Sequence, residues 1–465
     1  MSRRTYLTSL LIVSALAASP ARAQVPYPRD LIPTRSALAR AGLEQQWLAV
    51  VPLTADERLG SISLNDGLLF AQTNRGYFHT YDAETGRLLW TARLGNQVAR
   101  VRPASVNSFA VFVTNFNRLF ALDRRTGVTI WTQELRSLPS SPTSCDEERV
   151  FVGLNDGKVY GYNLKVKDAK GVATRISDVP IEQWNWQTGG SVTTKPLPAL
   201  KLVVLGSDDG KVYVSLADER LMVYRIATEG AIGAGFGSYG TRLLLVPSAD
   251  RNLYGVDLLT SRIRWTFPSG APIRQEPMVA DTDIFVVNDA GQLSSIDAET
   301  GSPRWSVSTH GGRLLSIGAK RVYLESSDDD LFIIDRASGQ TVADAEATLN
   351  RYGLKIRPFE LGVTNRETDR LYFATTSGMI VTIREIGLTR PRFLRDPKSP
   401  PFGTIPIEGL IKELVTPESQ LSPGEETVPA RPAAPPAEAT PPADGEKPEP
   451  AAPAVETPPA PDKPK

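Results

Sequence analysis

Short runs of β-branched and aromatic residues alternate with turn-forming residues through the middle of the chain. Phe109–Val113 and Arg118–Leu122 flank the turn Asn115-Phe116-Asn117, and Arg149–Gly153 and Lys158–Tyr162 flank residues 155–157. Asparagine, aspartate and glycine favour such hairpin turns because they adopt positive φ angles readily. The pattern predicts antiparallel strands joined by tight turns. The same arrangement surrounds residues 208–210, 289–291 and 328–330.

A second motif, Asp-x-x-Thr-Gly-x-x-x-Trp, follows several of these hairpins. It is close to this form at residues 82–90, 123–131 and 297–305, and looser at 257–265 and 335–343. The aspartates of neighbouring copies lie 38 to 41 residues apart. A fixed period near forty residues indicates repeated structural units. Each unit predicts three strands, a glycine-containing turn and a fourth strand that begins at the tryptophan, which together make one four-stranded blade.

The number of blades follows from a count of strands. Third-strand ends and outer strands each number eight, but the two sets are offset: Glu44–Val51 has no three strands before it, and the run ending near Ile386 has no fourth strand after it. We therefore expect the N-terminal strand to complete the last blade, which removes the free edges of an open array. The prediction is an all-β fold, an eight-bladed β-propeller of four-stranded blades over residues 44–388. Its outer strands are placed near Trp47, Trp90, Trp131, Trp186, Tyr224, Trp265, Trp305 and Val342.

The repeat Asp-x-x-Thr-Gly-x-x-x-Trp resembles the PQQ-like (quinoprotein) repeat over roughly Gln45 to Gly387. That repeat is found in quinoprotein dehydrogenases and in the BamB family of outer-membrane assembly factors. The sequence contains no Trp-Asp dipeptide, which disfavours the WD40 repeat. The resemblance implies a propeller with one of two roles, a PQQ-dependent oxidoreductase or a scaffold for the machinery that inserts β-barrel proteins into the outer membrane.

The residues favour the scaffold. The resemblance to quinoprotein dehydrogenases implies a disulfide of adjacent cysteines and a calcium ion bound by Glu, Asn and Asp, but Cys145 is the only cysteine of the sequence. No residue can be matched to the calcium ligands or to the catalytic base of those enzymes. We therefore predict no catalytic, cofactor-binding or metal-binding residues and no cofactor, and we keep the PQQ-dependent oxidoreductase as the alternative.

Several isolated residues have simpler structural interpretations. We expect His79 to be a hydrogen-bonded strand residue, His310 an exposed turn residue and Cys145 a lone buried thiol. We interpret the triplet Asp328–Asp330 as a hairpin turn, with a calcium site as the less favoured alternative. The glycine-rich run Gly230–Gly237 is followed by no helix signal, which disfavours a phosphate-binding loop.

Two stretches break the repeat period, Lys165 to Gln183 and Glu346 to Arg370. Segments outside a repeat carry contacts more often than the strands do, so we interpret both as candidate partner-contact loops. The first contains Lys165, Lys167, Lys170, Arg175, Asp168 and Asp178.

The ends of the sequence differ from its centre. Residues 1–23 combine Arg3 and Arg4, an apolar run and Ala21-Arg22-Ala23, which is typical of a cleaved export signal. They are followed by a lead-in, residues 24–43. No cysteine lies near the cleavage site, so we expect no lipid anchor, unlike the best-known members of the BamB family. Residues 389–422 are interpreted as a linker with a short docked segment, and the Pro/Ala-rich residues 423–465 as a disordered tail.

The balance of charged residues bears on the class of partner. The chain has 52 basic and 52 acidic residues, a balance that does not favour binding to nucleic acid. We predict an exported, soluble scaffold of the periplasm or cell envelope, with envelope proteins as its partners and the outer-membrane β-barrel assembly machinery as the leading candidate. The sequence is also compatible with a scaffold for a different envelope complex and with a carbohydrate- or peptidoglycan-associated propeller.

Overall fold

The computed structural model describes residues 32–96, 102–168, 173–326 and 330–404. The expected export signal (residues 1–23), residues 24–31 of the lead-in, the docked segment beyond Thr404 and the expected tail (residues 423–465) lie outside these ranges.

Within the described ranges the strands form eight antiparallel sheets of four strands each, which confirms the eight-bladed propeller. The chain starts with helix α1 (Arg35–Arg40) and strand β1 (Leu43–Val50). Blades 1 and 2 consist of β2 (Leu59–Asn65), β3 (Leu68–Thr73), β4 (Tyr77–Asp82), β5 (Leu88–Arg93), β6 (Ser105–Val106), β7 (Ala110–Asn115), β8 (Arg118–Asp123) and β9 (Thr129–Glu134). Blades 3 and 4 consist of β10 (Ser144–Cys145), β11 (Arg149–Gly153), β12 (Lys158–Lys167), β13 (Ala173–Gln187), β14 (Leu197–Ala199), β15 (Leu202–Gly206), β16 (Lys211–Leu216) and β17 (Met222–Ala227).

The second half of the ring repeats this arrangement. Blades 5 and 6 consist of β18 (Gly237–Tyr239), β19 (Leu243–Pro247), β20 (Asn252–Asp257), β21 (Ile263–Pro268), β22 (Met278–Ala280), β23 (Asp283–Val287), β24 (Gln292–Asp297) and β25 (Pro303–Ser308). Blade 7 and the rest of blade 8 consist of β26 (Arg313–Ile317), β27 (Arg321–Glu325), β28 (Leu331–Asp335), β29 (Thr341–Ala343), helix α2 (Ala345–Asn350), β30 (Leu361–Gly362), β31 (Leu371–Ala374) and β32 (Met379–Glu385).

The N-terminal strand closes the ring, as the sequence predicts. β1 pairs antiparallel with β32, from Leu43 opposite Glu385 to Val50 opposite Met379. Blade 8 therefore takes its outer strand from the start of the propeller sequence and its other three strands from the end. The first strands of neighbouring blades contact each other, for example β6 with β10 and β2 with β30, so they lie nearest the centre of the ring.

The up-and-down order of the strands gives the ring two faces. Face A carries the turns between first and second strands and between third and fourth strands, such as Asp66-Gly67 and Ala83–Gly86 of blade 1. Face B carries the turns between second and third strands, such as Asn74–Gly76, and the connections between blades.

The aspartate of the repeat motif orders the turn that follows the third strand. Asp82 Oδ1 accepts hydrogen bonds from the Thr85 backbone N (2.8 Å) and from Thr85 Oγ1 (2.7 Å). Asp123, Asp297 and Asp335 make the same pair of hydrogen bonds to Thr126, Thr300 and Ser338. The side chain thus satisfies backbone donors that the turn leaves without a strand partner.

The tryptophan of each motif joins one blade to the next. Trp90 lies on β5 and its Nε1 donates to the carbonyl oxygen of Arg124, at the turn of blade 2, over 2.8 Å. Its ring also covers Gly127, where φ is +72° and an added Cβ would lie 2.4 Å from Trp90 Cε3. The glycine is needed for two reasons, the left-handed backbone and the absence of a side chain beneath the ring. The equivalent pairs are Trp47 with Gly86, Trp265 with Gly301 and Trp305 with Gly339.

Blade 3 corrects one position of the prediction. The sequence placed the outer-strand aromatic at Trp186, but Trp184 makes the junction, since its Nε1 donates to the carbonyl oxygen of Ala217 over 2.8 Å. Trp186 instead lies beneath the guanidinium of Arg220, 5.7 Å from the ring centre. Trp184 lies opposite Gly161, just before a register shift that recurs at the same place in blade 1, where Trp90 lies opposite Thr80. In blade 4 Tyr224 takes the tryptophan position, and its hydroxyl donates to the carbonyl oxygen of Leu258.

Blade 5 carries a buried ion cluster at its motif aspartate. Asp257 accepts hydrogen bonds from Arg242, Arg264 and the backbone N of Thr260. Burial raises the pKa of this carboxyl, but the hydrogen bonds from Arg264, Thr260 and Arg242 lower it by more than burial raises it. The resulting pKa is about 2.

After β32, residues 386–404 cross face A, and we call them the strap. The Leu394 N donates to the carbonyl oxygen of Glu367 in blade 8, and Arg392 Nη1 donates to that of Gly318 in blade 7. Further along, Arg395 Nη2 donates to the carbonyl oxygen of Gly240, and the Gly403 N to that of Thr241, both in blade 5. The strap therefore runs over the face A turns of blades 8, 7 and 5, and a further hydrogen bond joins it to blade 6.

The first prediction concerns the tryptophan junction. Trp90→Ala removes a ring that is only 6% exposed and its hydrogen bond to blade 2, so we expect a loss of about 3–5 kcal/mol in the free energy of unfolding. Chemical denaturation measures it. Leu88→Ala, in the same strand but half-exposed, is the control and should cost less than about 1 kcal/mol. Equal unfolding of Trp90→Ala and wild type would rule out the junction as a stabilising contact.

A second prediction separates the two demands on the motif glycine. Gly127→Ala and Gly270→Ala both place alanine at positive φ (+72° and +79°), which costs about 1–2 kcal/mol in each case. Only at Gly127 does the new Cβ meet the ring of Trp90; at Gly270 nothing lies within 4 Å. Gly127→Ala should therefore lose about 1–3 kcal/mol more on denaturation. Equal losses would show that the conformation alone selects glycine there.

A third prediction follows from the lowered pKa of Asp257. Since its folded pKa of about 2 lies below the ordinary 3.8, its contribution is fully present above about pH 4 and disappears as the pH falls through 2. Asp257→Asn should lose about 2 kcal/mol at pH 7 and less at lower pH, converging on wild type near pH 2 in urea unfolding. A pH-independent difference would contradict the assignment. Asp297→Asn, at the same position of blade 6 but more exposed, should lose less at pH 7.

Candidate interaction surface

The first stretch that breaks the repeat is an extended hairpin. Beyond the body of blade 3, β12 and β13 continue to pair, with Lys165 opposite Ile176, Val166 opposite Arg175 and Lys167 opposite Ala173. In blades 1 and 2 the turn after the third strand is closed by the motif aspartate, whereas here the ladder continues outwards on face A. We call the described residues 164–168 and 173–182 the blade 3 hairpin.

Charged side chains fix the base of this hairpin. Lys167 Nζ lies 3.4 Å from Glu148 Oε2 and 4.0 Å from Asp218 Oδ1. Arg149, which is nearly buried, contacts the same two carboxylates at 3.4 and 3.3 Å. The network joins the first turn of blade 3, the hairpin and blade 4. Burial raises the pKa of Glu148, but the positive charges of Lys167 and Arg149 lower it by a larger amount, so the pKa lies below its ordinary value.

The hairpin also exposes apolar side chains. Ile176 and Val179 are 46% and 55% exposed, beside an exposed ion pair of 3.3 Å between Arg175 and Asp178. Leu200 of blade 4 is another exposed apolar residue, and its carbonyl oxygen accepts from Arg149 Nη1. Apolar side chains among charged ones, on a supported β-structure, are suited to contact with another protein.

The second stretch that breaks the repeat, Glu346 to Arg370, is partly buried. Leu354, Ile356 and Phe359 lie in the core that blades 7 and 8 share. Arg370 is fully buried and pairs with Asp369 at 3.0 Å and with Glu84 of blade 1 at 3.3 Å. These side chains are not accessible to a partner, but others in the stretch, such as Lys355 and Arg366, are exposed, so its interpretation as a candidate partner-contact loop stays a prediction.

The loop between β30 and β31 reaches over the centre of the ring. Arg366 Nε lies 3.1 Å from Glu276 Oε1, which joins blade 8 to the segment before blade 6. Glu367 accepts from the backbone N of Asp66 (2.6 Å) and of Gly67 (3.0 Å) in blade 1. Burial nevertheless raises the pKa of Glu367 above its ordinary value.

The two histidines, the cysteine and the glycine-rich run lie in positions that fit the structural roles expected from the sequence. His79 is buried on β4 and its Nδ1 lies 2.9 Å from Thr91 Oγ1, while burial lowers its pKa. His310 is exposed in a turn with φ +54°. Cys145 is partly buried, and burial raises the pKa of its thiol to about 12. The run Gly230–Gly237 leads into strand β18.

The aspartate triplet is described only in part. Residues 328 and 329 lie outside the described ranges, and Asp330 pairs with Arg357 at 2.5 Å. Among the residues that the structure describes, no three His, Cys, Asp or Glu side chains converge in a geometry able to hold a metal ion. Within the same residues no helix is long and apolar enough to cross a membrane.

The arrangement matches one family of known proteins. The profile described as "Outer membrane protein assembly factor BamB" matches residues 36–174 and 204–411. Two proteins of that name are similar in sequence: that of Burkholderia pseudomallei is 24% identical over 47% of this chain and 58% of its own length, and that of Shewanella oneidensis is 23% identical over 68% and 82%. The Escherichia coli protein of that name is 29% identical, over 32% of this chain and 34% of its own length.

Solved structures show the same fold. The crystal structure of BamB from Moraxella catarrhalis superposes with a TM-score of 0.57 and 17% identity, over 74% of this chain and 98% of that one. A computationally designed protein, Ika8, superposes with a TM-score of 0.55 and 15% identity, over 73% of this chain and 99% of that one. With a family profile that covers most of the propeller, together with its repeat motif and closed eight-bladed ring, the chain belongs to the BamB family of outer membrane protein assembly factors.

Proposed function

We propose that this protein is a non-enzymatic scaffold of the periplasm that contacts the outer-membrane β-barrel assembly machinery through its blade 3 hairpin. The family membership supports the process, since its name describes assembly factors. The export-like residues 1–23 support the compartment. The observation that carries the contact site is the exposure of Ile176 and Val179 on a hairpin held at its base by a charged network.

The hairpin has the physical properties of a protein-binding element. Lys167, in the outermost described pair of the hairpin, is held against Glu148 of blade 3 and Asp218 of blade 4, which reduces the conformational entropy that is lost when a partner binds. Its exposed apolar residues supply contact area, and the pair Arg175–Asp178 supplies charges that orient a partner. Within the described ranges only blade 3 projects such a hairpin, which gives an otherwise repetitive ring one distinct surface.

The fourth prediction tests this site in cells. The double variant Ile176→Asp and Val179→Asp should reduce capture of barrel-assembly components at least tenfold after crosslinking and affinity purification, because it places charges in an apolar contact. The matched control is Val128→Asp with Ile263→Asp, two exposed apolar residues of blades 2 and 5. Both variants should accumulate like wild type because all four positions are exposed.

The outcomes of this experiment test the assembly role and the contact site separately. Loss of barrel-assembly components with the hairpin variant alone supports both parts of the proposal. Equal capture by wild type and the hairpin variant removes the hairpin as the contact site. Capture of a different envelope complex overturns the assembly role. If the hairpin variant abolishes that capture, the hairpin is the contact site for a different binding partner.

A further inference from the structure

A cleft opens on face A between the strap and blades 8, 1 and 2. Its volume is about 690 Å³. The strap contributes Pro391, Phe393 and Pro397, and the blades contribute Leu64, Val106 and Tyr372. Phe393 is 50% exposed although its backbone is paired with Thr368. A large aromatic side chain thus faces a cavity of apolar side chains.

The charged groups at this cleft already have partners. Asp66 pairs with Arg124 at 2.5 Å, Glu84 with Arg370 at 3.3 Å and Arg366 with Glu276 at 3.1 Å. Glu367 accepts from two backbone N–H groups of blade 1. The cleft therefore presents apolar surface with compensated charges, which suits an apolar segment better than a charged ligand.

The described chain ends beside this cleft. Arg395 lines the cleft, and its guanidinium donates to the carbonyl oxygens of Gly240 and Pro400. The next residue of that turn, Thr241, accepts from the Gly403 N over 2.9 Å. The end of the described chain is thus connected to the rim of the cleft through the Arg395 side chain and the Gly240–Thr241 turn.

The sequence beyond Thr404 contains one apolar cluster. Residues 405–415 include Ile405, Ile407, Leu410, Ile411, Leu414 and Val415, whereas residues 423–465 contain no leucine, isoleucine or aromatic residue. The spacing of positions 407, 410, 411 and 414 is typical of an amphipathic helix. Fully extended, eleven residues span about 36 Å, and as a helix about 16 Å. An extended segment of this length is longer than the path through Arg395 and the Gly240–Thr241 turn that connects the end of the described chain to the cleft.

We propose that residues 405–415 dock in the cleft of their own chain, with Phe393 as the central contact. The segment then covers the part of face A that the strap leaves open. The proposal is independent of the scaffold function, because it concerns a contact within one chain.

The fifth prediction tests this contact on the purified full-length chain. A photoreactive benzoyl-phenylalanine at position 393 should form a crosslink to a peptide within residues 405–415, in the monomer, as identified by mass spectrometry after proteolysis. The same probe at position 386 is the control, since Ile386 is 53% exposed and does not line the cleft. It should give at least tenfold less of this product.

A second pair of variants tests the chemistry of the contact. Leu410→Asp with Ile411→Asp should lower the crosslink yield from position 393 at least tenfold, because apolar side chains are needed in the cleft. Val428→Asp, in the Pro/Ala-rich sequence, should leave the yield unchanged. A crosslink to residues 423–465, a product only between two chains, or no product at position 393 would each overturn the proposal. Barrel-assembly capture is not involved in this experiment, so its outcome and that of the proposed function are separate.

Discussion

The ring depends on one repeated contact, the indole of one blade laid over the turn of the next. Trp90 combines three constraints at that point: a donor bonded to the Arg124 carbonyl, an aromatic face against Gly127 and a turn shaped by Asp123. Each element is local in sequence, but the contact crosses between blades. Since each sheet is only four strands wide, the apolar area between neighbouring blades supplies most of the stability, and the indole fixes the distance at which they pack.

The contacts that close the ring at blade 8 differ from those that join the regular blades. The junction of blades 8, 1 and 7 relies on buried charges and a crossing segment as well as on Trp47, because the regular repeat is interrupted there. Arg370 is fully buried between Asp369 and Glu84, an arrangement that costs desolvation and is favourable only with both partners in place. The strap adds hydrogen bonds to four blades, 8, 7, 6 and 5, on the same side of the ring.

The sequence predicted those features whose determinants lie close together along the chain. The Asp-x-x-Thr-Gly-x-x-x-Trp motif indicated the repeat period and the blade architecture, and a count of strands then predicted the blade number and the closure by the N-terminal strand, because hairpin turns and motif are each local in sequence. The sequence placed the outer strand of blade 3 correctly near Trp186 but did not show that Trp184 makes the junction, because both tryptophans lie on that strand and only the packing against Ala217 separates them. The charged base of the hairpin was not foreseen, because Glu148, Lys167 and Asp218 meet only when two blades pack. The strap carries no repeat, so its path depends on hydrogen bonds to distant turns.

The pairing of β1 with β32 also has a kinetic consequence. The two strands lie at opposite ends of the propeller sequence, so a chain that emerges N-terminus first completes seven blades before β1 has a partner. Pairs that are so distant in sequence form slowly. Until then both blade 8 and β1 present open strand edges, which are prone to intermolecular pairing. The closing strand thus makes ring formation a single late event, and a chain shortened before Met379 retains an unpaired β1.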